Sequence, residues 1–254
     1  MRVVSICPSN TEIVEYLGKT DLLTGVDNYS DWPPQVLQLS KVGPDLSIDM
    51  DKVEALKPDI VLASLSVPGM EKNIEALDER GLPYIILNPN SLDEIADDIE
   101  RVGTALGEKD LGAEKAASFR SELEHFREQA EKKEHNPSLY WEWWPKPVFT
   151  PGSVNWLTEI SRLAGARNIF DTEDKASVQT DWHDVKARNP DHICMVWVGV
   201  KTSKMRPELV RRRPDWHEMK AVRENNIHVL EESLFCRPSP RLLEGLRKLA
   251  AILE

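Results

Sequence analysis

Eight tryptophans fall in a chain of 254 residues, and three of them crowd into Tyr140-Trp141-Glu142-Trp143-Trp144-Pro145-Lys146-Pro147. A second run, Tyr29-Ser30-Asp31-Trp32-Pro33-Pro34, again sets large rings beside prolines. Rings stiffened by proline in loops can stack on a large, flat, partly apolar guest. Tyr29, Trp32, Trp143, Trp144 and Phe149 are the first candidates for such a wall, followed by Trp197, Trp216 and Phe235. Core packing is the alternative for any single ring, and it is the expected fate of Trp156 and Trp182. Polar groups in the same segments would orient a guest. Asn10 at a helix start can hold an anionic or amide group, and Arg237 and Lys146 can pair a carboxylate or phosphate.

Residue patterns for catalysis are thin. The chain has no Gly-x-Gly-x-x-Gly turn, Walker loop, Gly-x-Ser-x-Gly elbow or His-Glu-x-x-His helix. Its six histidines show no metal-ligand spacing, and most read as solvated side chains on helices or in turns. Cys7 beside a helix start could be an activated thiol or a buried, inert one. Asp31 and Asp45 could act as acid and base. No catalytic residue, intrinsic cofactor or metal is expected.

With 43 acidic against 32 basic side chains the net charge is -11, which disfavours nucleic acid and anionic membranes as partners. Three cysteines are too few for a disulfide framework. The chain opens directly on a strand, with no basic leader or apolar signal core ahead of Val3. That start implies a cytoplasmic protein, or an extracellular or periplasmic one where a leader has been removed. No apolar run approaches the ~20 residues that span a bilayer, and a monomer is expected.

The rings need a frame, and short apolar runs alternating with helical patterns supply one: α/β, with parallel sheets. Strands are expected at 3–7, 22–26, 60–64, 84–87, 139–143, 193–198 and 227–230. Ser9 with Glu12, and Ser91 with Glu94, have capping-box spacing and open helices. Helices are expected at 71–80, 91–107, 156–164 and 242–253. Residues 110–134 read as one long amphipathic helix, about 36 Å at 1.5 Å per residue. The organisation is therefore an N-terminal α/β lobe (1–108), a connecting helix (109–135) and a C-terminal α/β lobe (136–254), each lobe Rossmann-like. The run from Val53 to Val61 is echoed from Val185 to Ile193, with Val, Ala, Pro and Asp at equal offsets. In both, a short helix turns at Pro-Asp into a strand, which points to two related lobes.

Ser9-Asn10-Thr11-Glu12, Tyr29-Ser30-Asp31-Trp32-Pro33-Pro34-Gln35, Leu56-Lys57-Pro58-Asp59, Phe149-Thr150-Pro151-Gly152 and Arg237-Pro238-Ser239-Pro240-Arg241 occur in this order over essentially the whole chain. The sequence resembles the cobalamin-binding proteins of ABC importers, in the helical-backbone class of substrate-binding proteins that also carries ferric siderophores and haem. The resemblance implies two α/β lobes joined by a long helix, with a corrinoid or related metal chelate lying flat in the cleft between them. It implies cleft positions for Tyr29, Phe149 and Arg237. It also implies one acidic residue per lobe that docks the ABC permease, Asp51 and Glu218 being the nearest matches. Asp45 and Ser64 stand where the cobalamin binders have tryptophans, so Trp143 and Trp144 would substitute. A siderophore or haem binder with Tyr29 or a histidine near iron is one rival. A tetrapyrrole-modifying enzyme using Asp31, Asp45, Glu142 or His217 is another.

Overall fold

The computed structural model describes residues 1–254, and the chain divides into two compact units. Unit 1 comprises Met1–Pro89, Asp93–Arg120 and Pro238–Pro240; unit 2 comprises Asn90–Leu92, Ser121–Arg237 and Arg241–Glu254.

The strands of unit 1 are β1 (Val3–Ser5), β2 (Leu23–Val26), β3 (Ser40–Lys41), β4 (Ile60–Ser64) and β5 (Tyr84–Leu87). They form one parallel sheet in the order β3-β2-β1-β4-β5. Helices cover both faces of such a sheet, so its central strands carry unbroken apolar runs. Val3, Val4, Val61 and Leu62 are accordingly all fully buried. Around the sheet lie α1 (Pro8–Tyr16), α2 (Met50–Ala55), α3 (Glu71–Glu79) and α4 (Leu92–Ala105), followed by the 22-residue α5 (Lys109–Ala130). The boundary between the units falls within α5, after Arg120. Where α4 meets α5, a Cβ on Gly103 would stand 2.5 Å from the Gly112 Cα. The two backbones touch, which only glycine permits.

In unit 2, β6 (Ser138–Glu142), β9 (Arg167–Asn168), β11 (His192–Met195) and β12 (Ile227–Val229) form a second parallel sheet in the order β12-β11-β6-β9. Read from the other edge, this is the β2-β1-β4-β5 order of unit 1. An antiparallel ribbon that the sequence patterns do not reveal is added to it: β7 (Trp144–Pro145), β8 (Val148–Pro151) and β10 (Ser177–Thr180). The helices are α6 (Trp156–Leu163), α7 (Trp182–Arg188), α8 (Pro207–Arg211), α9 (Lys220–Arg223), α10 (Glu232–Phe235) and α11 (Leu242–Ile252). Tyr140, Phe170, Met195 and Trp216 fill its core at 0–1 % exposure.

The repeated Pro-Asp run has the same geometry in both units. Lys57 and Asn189 end α2 and α7 in the left-handed region, at φ 48° and 43°. The next two residues, Pro-Asp, lead into β4 and β11. Asp59 accepts from the Arg2 amide at 2.6 Å, and Asp191 accepts from the Ser138 amide at 2.8 Å. The Asp59 and Asp191 amides return bonds to the Arg2 and Ser138 carbonyls. A carboxylate clasp therefore sets the register of the two central strands in each sheet.

One local expectation fails. Ser9 and Glu12 do not form a capping box, because Pro8 takes the first helical position and Cys7 the cap, without a side-chain hydrogen bond. Pro lacks the N–H that a cap would satisfy and is pre-set for a first turn. Ser9 instead bonds Cys7 and Asn10, and Glu12 accepts from the Ser239 hydroxyl.

Candidate functional site

In open parallel sheets the loops beyond the strands' carboxyl ends hold the ligand, at the point where strand order reverses. In unit 1 the reversal lies at β1 and β4, and the neighbouring loop after β2 carries Tyr29 and Trp32. Tyr29 is 55 % exposed, a ring free to meet a guest, while Trp32 is half-buried. The loop is built on Asp27, which is fully buried. Its carboxylate accepts from the Tyr29 amide at 2.7 Å, the Ser30 amide at 3.0 Å and the Ser30 hydroxyl. Such an Asx-type turn substitutes side-chain acceptors for a missing ladder. Burial pushes the Asp27 carboxyl above its ordinary value, against the pull of the Ser30 and Tyr29 donors. Ser30 also shares a 2.8 Å bond with Thr11, tying the turn to α1.

In unit 2 the chain leaves β6 at Glu142, runs through Trp143 into the ribbon and returns along β8. Trp144 faces Phe149 across the ribbon, and the Trp143 amide donates to the Phe149 carbonyl at 3.0 Å. Residues directly opposite share a face of a ribbon, so Trp144 and Phe149 stand together and Trp143 points the other way. Trp197, just past β11, brings its ring centroid to 6.4 Å from that of Trp144. Trp144 remains 43 % exposed, whereas Trp143, Phe149 and Trp197 are half-buried. Three of the expected rings thus converge at the carboxyl end of one sheet.

Beneath them lies a charged network in the core. Glu142 is fully buried and accepts four hydrogen bonds: Arg213 at 2.5 and 2.7 Å, the Tyr140 hydroxyl at 2.9 Å and the Trp197 indole at 3.0 Å. That is the full acceptor capacity of a carboxylate. The Arg213 guanidinium lies over both the Trp182 and Trp216 rings, 4.8 and 4.4 Å from their centroids. Burial, with the Glu142 charge beside it, drives the Tyr140 phenol well above its ordinary value and keeps it a donor.

Several expected site residues lie elsewhere. Trp216 (1 % exposed) packs edge-on to Tyr140 and Trp182, and Phe235 (0 %) packs on Trp141 at 5.4 Å, so neither offers a face to a guest. Asn10, 1 % exposed, spends its amide on the Ala63 carbonyl at 3.0 Å, fastening α1 to β4. Arg237, at the edge of burial, pairs with Glu232 at 3.4 Å. Lys146 lies over the Trp182 ring at 5.9 Å. Asp51 and Glu218 are accessible, with side chains 84 % and 62 % exposed, and pair only with Arg80 and Lys186.

The catalytic candidates lose their footing. Glu142 is saturated, and the Cys7 thiol is pushed up to about 11 by burial, so it is no nucleophile. Asp31 and His217 are exposed, and Asp45 is half-buried in a different loop. Two histidines lie half-buried on strands. His192 and His228 stack on adjacent strands with nitrogens 3.0 Å apart. No three His, Cys, Asp or Glu side chains are grouped to hold a metal. The residues that sequence reasoning missed are Asp27 and Arg213. An Asp two residues before an exposed ring is a readable turn signal; Arg213, in a run of three arginines, carries none.

The chain is similar to several known proteins over nearly its whole length. It is 32 % identical, over 98 % of itself and 78 % of the relative, to the uncharacterized ABC transporter substrate-binding lipoprotein YvrC of Bacillus subtilis. The crystal structure of the periplasmic vitamin B12 binding protein BtuF of Vibrio cholerae matches with a TM-score of 0.81 at 27 % identity, covering 99 % of this chain and 96 % of that one. The apo periplasmic heme-binding protein RhuT of Roseiflexus sp. RS-1 matches with a TM-score of 0.85 at 22 % identity, covering 99 % and 97 %, a likeness of fold. These relatives are described as a lipoprotein or as periplasmic, which lends no support to a cytoplasmic protein, and no helix here is long and apolar enough to cross a membrane. The profile of the periplasmic binding protein family matches residues 3–234. With that match over most of its length, the chain belongs to the periplasmic binding protein family and is a substrate-binding protein.

Proposed function

We propose that the chain is the substrate-binding component of an ABC importer, working outside the cytoplasmic membrane, and that its cargo is a corrinoid or a closely related metal-chelate macrocycle. Trp144, Phe149 and Trp197 of unit 2 are the rings on which the flat cargo stacks, and within unit 1 the exposed Tyr29, with Trp32 in the same loop, is a cargo contact of its own. The observation that carries the reading is the trio Trp144, Phe149 and Trp197 at the carboxyl end of the unit 2 sheet, with Trp144 exposed. The 27 % identity to a vitamin B12 binding protein over 99 % of the chain supports the choice of corrinoid. Stacking burial supplies most of the affinity. Asp51 and Glu218, both on exposed surface, are the acidic residues that meet the permease.

Haem or a ferric siderophore is the second reading, favoured by one observation: Tyr29 is the only exposed tyrosine and could approach iron. Calorimetric titration with cyanocobalamin, haem and a ferric siderophore separates the two. Cyanocobalamin should bind with Kd below ~100 µM, about -5.5 kcal/mol. Binding of haem alone, with a Soret band that shifts in Tyr29→Phe, would favour the second reading. If none of the three binds, both readings fail.

A further inference from the structure

Glu142 and Arg213 form an ion pair whose side chains are 0 % and 2 % exposed. Burying such a pair gains little stability over apolar residues of the same volume, because desolvation offsets the attraction. Its value lies in what it fixes. Of the four donors to Glu142, three come from the core: both Arg213 nitrogens, on a guanidinium that lies over Trp182 and Trp216, and the Tyr140 hydroxyl. The fourth, the Trp197 indole, belongs to a half-buried ring in contact with exposed Trp144. One charged acceptor, immobilised on all sides, therefore determines the rotamer of a ring at the strand end.

We infer that Glu142 and Arg213 are positioning residues, which pin the Trp197 indole and through it set the face that Trp144 presents to cargo. The inference rests on the proposed reading that these rings carry cargo. A ring held in one orientation before binding loses little freedom on contact, so affinity rises without any new contact. Neither residue touches cargo. Both act through the single indole N–H of Trp197, a donor that phenylalanine would lack.

The test removes the network without leaving an orphaned charge. In the triple variant Tyr140→Phe, Glu142→Met, Arg213→Met, every polar member beneath Trp197 gives way to an apolar side chain of similar size, a change expected to be neutral or stabilising for the fold. Parent and variant are labelled with 5-fluorotryptophan, and the Trp144 and Trp197 resonances are assigned from Trp144→Phe and Trp197→Phe. The parent should give one sharp line for each ring, and the folded triple variant broadened or split lines. Cyanocobalamin affinity should fall about tenfold, or ~1.4 kcal/mol. Trp197→Phe should cost a similar factor in the parent and less than twofold more in the triple variant. A folded triple variant with sharp lines and affinity within twofold of the parent overturns the inference, as does full additivity of Trp197→Phe. If the triple variant does not fold, Trp197→Phe alone decides: a Trp144 line as sharp as in the parent overturns it. The fluorine spectra need no cargo, so a parent that binds none of the macrocycles refutes the functional reading and leaves the positioning claim to be judged separately.

Discussion

Replacing Trp144 by alanine should weaken cargo binding by between tenfold and a hundredfold while leaving the fold intact. Trp144 keeps 43 % of its surface exposed, which for a ring system of ~250 Å² leaves roughly 110 Å². A flat guest covers one face, about half of that, and at ~25 cal/mol per Å² the lost burial is ~1.4 kcal/mol. The guest forfeits a matching area of its own, which sets the ceiling at ~2.8 kcal/mol. Because Trp197 is held by Glu142 and not by Trp144, the remaining wall should stay in place. The assay is cyanocobalamin calorimetry on parent, Trp144→Ala and Trp144→Phe, with a thermal melt as control. Phenylalanine should recover part of the loss. A variant that binds within twofold of a binding-competent parent would refute the assignment of this ring to the cargo face.

The two units should respond oppositely to acid. Burial, only partly offset by Arg101, raises the Asp98 carboxyl to about 6, so between pH ~4 and 6 the folded state holds the extra proton and unit 1 loses stability as pH rises. Burial, then the neighbouring His192, lowers His228 to about 4, so unit 2 loses stability as pH falls from 6.5 towards 4. Hydrogen exchange of strand amides at pH 4 to 7 should show the opposed slopes, with Asp98→Asn and His228→Asn each flattening only its own; slopes of one sign in both units would be inconsistent with this. Asp27→Ala strands two amide donors beneath Tyr29 and should cost ~1–3 kcal/mol in urea denaturation, together with a loss of cargo affinity that Asp27→Asn partly restores. Gly103→Ala drives a methyl to within 2.5 Å of the Gly112 Cα and should cost ~1–3 kcal/mol; an unchanged melting temperature would mean the helices can part.

Much of the frame is readable because burial on two faces writes itself as contiguous apolar residues. Ile60–Ser64 and Tyr84–Leu87 are strands of the expected extent, and Lys109–Ala130 is the expected long helix, ending four residues early. The ribbon escapes because β7 is two residues long and contains a proline, and β10 alternates too briefly to stand out. Its order comes from pairing, which a linear pattern does not encode. At the site, proline-adjacent aromatics are right as a class of surface ring for Tyr29 and Trp144 but misplace Trp216 and Phe235. Trp216 follows Arg213-Pro214-Asp215 like a loop ring, yet it packs beneath the Arg213 guanidinium, which itself becomes tolerable in the core only through Glu142, 71 residues away. Asn10 fails for a related reason, since its amide answers a carbonyl on a strand 53 residues on. Contacts of that separation leave no local signature.

Between β1 and α1 the chain spends only Ile6 and Cys7, whereas between β6 and α6 it inserts the two ribbon strands β7 and β8. The carboxylate clasps sit at the opposite, amino ends of the central strands. Novelty and conservation of shape are thereby assigned to different ends of one scaffold. Lengthening, shortening or recolouring the inserted segment would remake the ring-bearing end while the clasped ends go on folding as before.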